Sequence, residues 1–185
     1  MFAIEQPAMA LNDTRVDNTV QMSITRTVTP DESITSILGA VVAAAKAAPG
    51  GRLKNLVLNC HGTPGQLQMG IGIDRNLTDR FRLLVVNDQP LVEMIYLRAC
   101  LVARIDGPGS QTDGNLFCCE IAKNARCKVM ASSALQQTRM KKSAGMAIPF
   151  GMLDQFEGTS LVYGPKGNVL ASQTNPMMTF FSGVE

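Results

Sequence analysis

The stretch Asn55-Leu-Val-Leu-Asn-Cys-His-Gly-Thr-Pro-Gly65 decides how the chain is read. Its first residues are apolar or strand-prone without alternation, the pattern of a short strand buried on both faces. Cys60, His61 and Gly62 follow at once, and Thr63-Pro64-Gly65 is a turn cluster. His61 is the only histidine among 185 residues. An imidazole at the end of a buried strand, against a glycine, is either a satisfied core group or a catalytic base at a sheet edge.

Two further apolar runs have the same character, "LVEMIYLRAC" (91–100) and "CKVMASS" (127–133). Helix-like segments separate such runs. From Thr29, a residue suited to an N-cap, Pro30 fits the first helical position and Glu32 completes a capping box. Ile34, Ile37, Leu38, Val41, Val42 and Ala45 then form the stripe of an amphipathic helix, ended by Pro49-Gly50-Gly51. "NLFCCEIAKNAR" (115–126) is helical by length and composition. "TVQMSITRTV" (19–28) alternates as a strand, "QLQMGIGI" (66–73) as a small hairpin arm, and "TSLVYGPKGNVLAS" (159–172) reads as a hairpin. "TDRFRLLVVND" (78–88) fits a short helix or a strand. Residues 1–18 read as a loose N-terminal arm and 134–151 as a mobile linker.

These elements predict one α/β domain over residues 1–185. Its sheet is mostly parallel, with helices on both faces and a C-terminal hairpin. The strands ending at His61 and Cys100 are expected side by side with the 128–132 strand in the centre. In such sheets ligands bind outside the carboxyl ends of the strands. If the first two strands are parallel, His61 and Cys100 emerge on one edge.

Composition narrows the function classes. The chain is 45% hydrophobic and 17% charged, with a formal net charge of +2, which gives no footprint for nucleic acid. Five cysteines, two of them adjacent, form no disulfide framework and suggest a reducing compartment such as the cytoplasm. Secretion as an effector, or origin in a longer chain, stays open. No CxxC pair occurs, so a zinc site is not expected, and no organic cofactor is implied. The N-terminus has no signal-peptide pattern, and no apolar run approaches the ~18 residues of a membrane span. "MGIGID" lacks the spacing and the following helix of a dinucleotide-binding loop.

The chemistry available to the pair is acyl transfer. A thiolate at Cys100 would attack a carbonyl, with His61 exchanging the proton. The backbone N–H groups of Gly62 and Cys100 would receive the oxyanion. No spacing argument assigns a third, orienting residue, although Asp106 and Asp113 lie in the loop after Cys100.

The runs "LVLNCHGTPGQLQMG" and "IYLRACLVARIDGPGSQTDGNLFCCEIAKNARCKVMAS" resemble the caspase-like cysteine peptidases, the group of caspases, metacaspases, gingipains and separases. His61-Gly62 and Ala99-Cys100 match that group's His-Gly and Ala-Cys strand ends. Cys100 follows His61 by 39 residues, against roughly 50 in caspases. The likeness is closer to a bacterial caspase-like domain of uncharacterised function, through Pro64-Gly65, Leu67, Gly70 and Ala131-Ser132. It covers about residues 53–133.

This resemblance implies a three-layer caspase-like fold and a Cys-His dyad that cleaves protein or peptide substrates through a thioester. It also implies that Arg98, two residues before the thiol, helps line the pocket for the residue preceding the cut, which would then be acidic. The family commonly has a glycine-containing turn after its cysteine, whereas Leu101-Val102-Ala103 stands here. The alternative is a non-catalytic module of the same fold that binds a protein partner. The oligomeric state is left open.

Overall fold

Apolar runs buried on both faces form the centre of the molecule. The computed structural model describes residues 1–136 and 148–175. Strand β1 is Ala8–Asp13, β2 Ile24–Val28, β3 Leu53–Asn59 and β4 Val92–Arg98. Strand β5 is Lys128–Ser132, β6 Gly158–Tyr163 and β7 Val169–Asn175. They make one sheet in the order β7-β6-β5-β4-β3-β1-β2. Strands β2, β1, β3, β4 and β5 are mutually parallel, and β6 and β7 are antiparallel additions at one edge. The α/β class, the adjacency of β3, β4 and β5, and the C-terminal hairpin agree with the sequence.

Helix α1 spans Ile34–Ala47 and α2 spans Gly114–Ala125. The residues from Thr29 make a turn, not the first turn of α1. Glu32 does reach back to the Thr29 N–H at 2.9 Å, but the N-cap is Ser33, whose Oγ accepts the Ser36 N–H at 3.2 Å. Helix α2 is capped by Asp113, whose Oδ1 accepts the Leu116 N–H at 3.0 Å. The ambiguous stretch 78–88 resolves into a 3₁₀ segment, Arg75–Leu84, followed by the two-residue strand Val85–Val86.

Strand alternation sorts the core into two layers. Met9, Leu11, Leu56, Leu58, Ile95, Leu97, Val129 and Ala131 face one way and pack against α1, α2 and the 3₁₀ segment. Ala8, Ala10 and Val57 face the other way, against Ile4, Val20, Met22, Ile148, Leu153 and Phe156. Among the described residues the helices therefore lie on one face only, and a short two-stranded ladder with irregular segments covers the other. Of the helices expected on both faces, the described residues show those of one face. Small side chains at Ala8 and Ala10 let those segments lie close to the sheet.

The N-terminal arm is also corrected. Residues 1–18 are not loose: Phe2–Ala3 pairs with Met152–Leu153, and every residue of β1 is buried. The expected linker 134–151 divides. Ala134 O accepts the Leu101 N–H at 2.9 Å, Gly151 N–H donates to Gln21 O at 2.8 Å, and Ile148 is buried. Residues 137–147 of that expectation lie outside the described residues. All five cysteines are free thiols, and Cys60, Cys118 and Cys127 are buried. No helix among the described residues is long and apolar enough to cross a membrane.

Leu58, in the central strand β3, is 1% exposed, whereas Leu170 on the edge strand β7 is 50% exposed. Leu58→Ala should cost about 2–5 kcal/mol in urea unfolding. Leu170→Ala should stay within about 0.5 kcal/mol of the parent.

Candidate functional site

In-register pairing fixes the site. Strand β3 matches β4 from Leu53↔Val92 to Asn59↔Arg98, and Cys60 N–H extends the ladder to Arg98 O at 3.3 Å. The chain segments carrying His61 and Cys100 therefore leave the sheet side by side at the carboxyl edge. Beyond Cys60 the chain folds into a hairpin, His61–Thr63 against Gln66–Gln68, closed by Pro64-Gly65. Gly65 has φ +72°, the left-handed value that the third position of a type II turn requires.

This hairpin sets the direction of the Gly62 N–H. Gly62 faces Leu67, and Leu67 exchanges both of its backbone bonds with Ile73 at 2.9 Å. The Gly62–Leu67 pair is thus the non-hydrogen-bonded kind, so the Gly62 N–H points out of the hairpin. The glycine is packed tightly on the neighbouring strand end. A Cβ added to it would lie 2.7 Å from Val102 Cγ2, 2.9 Å from Ala99 Cβ and 2.9 Å from Cys100 O.

His61 is exposed, and its Nε2 lies 3.0 Å from the backbone oxygen of Arg15. A carbonyl can only accept, so Nε2 carries the hydrogen of the neutral ring and Nδ1 keeps a lone pair. This orienting partner was missed in the sequence, because a main-chain oxygen has no residue signature. Neither loop carboxylate fills the role: Asp113 caps α2, and Asp106 pairs with Arg104 at 2.6 Å.

Arg15 is itself held. Its guanidinium grips Asp13 through two bonds, Nε to Oδ1 at 2.6 Å and an Nη to Oδ2 at 2.7 Å. That Nη also donates to Gln68 O and Gly70 O, both at 2.9 Å. Asp13 has a fully buried side chain and further accepts the Arg15 N–H at 3.0 Å and the Gly70 N–H at 3.1 Å. Burial pushes this carboxyl up, but the bonds from Arg15 and Gly70 outweigh it and hold it below the usual carboxylate range.

Cys100 is half-buried and sits in the turn directly after β4. Leu101 follows with φ +61°, a left-handed conformation that is uncommon without glycine. The Gln136 N–H donates to Cys100 Sγ at 3.3 Å. Gln136 is fixed in turn by its side chain, which accepts the Glu157 N–H at 3.1 Å and donates to Glu157 O at 3.2 Å. The first residue of α2 abuts the same turn, with Gly114 N–H on Arg104 O at 3.0 Å.

Arg98 does not join the pair. It belongs to a polar row across β1, β3 and β4, in which Asn59 Nδ2 donates to Asn12 Oδ1 at 2.8 Å and Arg98 donates to Asn59 Oδ1 at 2.7 Å. Its other Nη meets Asp154 at 3.2 Å, with both side chains about nine-tenths buried. The Arg98 charge is therefore already matched within the protein. The pocket role that the resemblance implies for Arg98 would require its guanidinium to leave Asn59 and Asp154. No group of three or more potential metal-binding side chains occurs among the described residues.

No family model matches the chain, and neither a curated protein nor a solved structure matches it.

Two outcomes are expected. Gly62→Ala should displace the hairpin from Ala99 and Val102, costing about 1–3 kcal/mol in thermal unfolding. Asp13 should add stability at neutral pH that fades as pH falls from about 5 through its lowered folded pKa, since protonation is easier in the unfolded chain. The stability gap between the parent and Asp13→Asn should therefore narrow from pH 7 to pH 3 in urea titrations.

Proposed function

We propose that the chain is a cysteine endopeptidase of caspase-like fold, with Cys100 as nucleophile and His61 as general acid and base. The observation that carries the reading is the seating of Gly62 against Ala99 and Cys100 O, with the His61 ring oriented by a carbonyl. In this mechanism His61 Nδ1 takes the thiol proton as Cys100 Sγ attacks the substrate carbonyl carbon. The oxyanion is met by the outward Gly62 N–H, and by the Cys100 N–H as the second donor. Nδ1 then gives its proton to the leaving amine, leaving a thioester. Water, activated by the same nitrogen, releases the acid and restores the thiol. This chemistry uses no metal and no organic cofactor.

The substrate is a protein or peptide. Preference for an acidic residue before the cut is not part of the proposal, because such a residue would have to displace Asp154 from Arg98. A second reading, a non-catalytic module that binds a protein partner, is favoured by two features. The Gln136 backbone already occupies Cys100 Sγ, and Leu101 stands where a glycine turn would open the pocket.

Iodoacetamide at neutral pH separates the two. A catalytic thiol predicts labelling of Cys100 well ahead of Cys119, the other partly exposed cysteine, and loss of that advantage in His61→Ala. Cys100→Ala should abolish peptide hydrolysis by about 10³-fold or more while unfolding as the parent does. Equal, slow labelling of both thiols would support the binding module.

A further inference from the structure

Asp13 is a buried carboxylate without a role in the acyl-transfer steps. It lies at the carboxyl end of β1, the same sheet edge as His61 and Cys100. The hydrogen bonds of its side chain all go to Arg15 and Gly70. Its Oδ1 takes the Arg15 backbone N–H at 3.0 Å, which belongs to the residue whose carbonyl meets the ring. Its two oxygens also orient the Arg15 guanidinium, which bridges to Gln68 O and Gly70 O. Gln68 is the cross-strand partner of His61. One fork of donors thus ties both sides of the imidazole, the carbonyl before it and the hairpin beneath it, to a single buried anion. Gly70 closes the loop, because its N–H bonds Asp13 Oδ2 at 3.1 Å and it sits at φ +57°. A side chain there would collide with Glu32 O at 2.2 Å.

We propose that Asp13, acting through Arg15, is a positioning residue that sets which ring nitrogen of His61 carries the proton. A free imidazole divides its proton between two nitrogens. Here the Arg15 carbonyl selects the Nε2–H form, and the Asp13–Arg15 fork holds that carbonyl in place. Without the fork the segment after β1 loses its tie to the hairpin, and the ring distributes its proton over both sites. Nδ1 would then be an acceptor only part of the time. Lysine cannot substitute for Arg15, since an ammonium lacks the planar fork that satisfies two carboxylate oxygens and two carbonyls together. The proposal rests on the peptidase reading only for its kinetic consequence, and the tautomer stands independently.

His61 is the chain's single histidine, so its two ring nitrogens can be read without assignment by two-bond proton–nitrogen correlation on ¹⁵N-labelled protein with the ring neutral. The parent should give the Nε2–H pattern. Asp13→Ala should shift both nitrogens toward a mixture, and its Cys100 should react with iodoacetamide roughly tenfold more slowly, the usual scale for losing an outer support. Cys119 in the same sample should be unchanged. Should Asp13→Ala fail to fold, Arg15→Lys keeps the carboxylate and should move the nitrogen pattern the same way. An Nδ1–H pattern in the parent overturns the proposal, as does a parental pattern in both variants. If Cys100 of the parent labels no faster than Cys119, the peptidase reading fails, while the nitrogen pattern still decides the role of Asp13.

Discussion

The pairing of β3 with β4 is the constraint on which everything else rests. Seven-residue strands buried by neighbours on either side run parallel from Leu53↔Val92 to Asn59↔Arg98. A slip of one residue would turn Leu56 and Leu58 away from the helices and bring Asn55 and Asn59 into the apolar layer. The polar row across Asn12, Asn59 and Arg98 guards against that slip, because its hydrogen bonds exist only when the three residues are level. The same register delivers two chemically capable residues to one edge.

The edge is built from what adjoins it in space. The hairpin after His61 leans on the Cys100 turn through Gly62, and the β1 carboxyl end reaches across through Arg15. The segment after β5 touches the sulfur through Gln136. Three strand ends thus contribute one group each. A parallel sheet suits this assembly because all its carboxyl ends gather on the same side.

Much of the fold was legible in the sequence. Unbroken apolar runs announced β3, β4 and β5, and the i, i+3, i+4 stripe marked α1. Strand β1 was not, because "AMALND" is short and has small alanines where β-branched residues usually signal a strand. The helix start slipped by four residues because the Glu32 contact that closes a capping box also closes an isolated turn. At the site, His61, Gly62 and Cys100 could be named from their strand-end positions. The Arg15 carbonyl could not, since every residue carries one. Nor could the partner of Arg98 be foreseen, because Asp154 lies 56 residues away in sequence, beyond any local pattern.

The distribution of sulfur makes the chain a gauge of its own opening. Cys60, Cys118 and Cys127 are buried, and burial pushes all three thiols up, Cys127 to about 12. They stand on three different elements: the end of β3, the middle of α2 and the turn into β5. A reagent reaches each only when its own neighbourhood unfolds. The order in which these three become accessible therefore traces, element by element, how the fold comes apart.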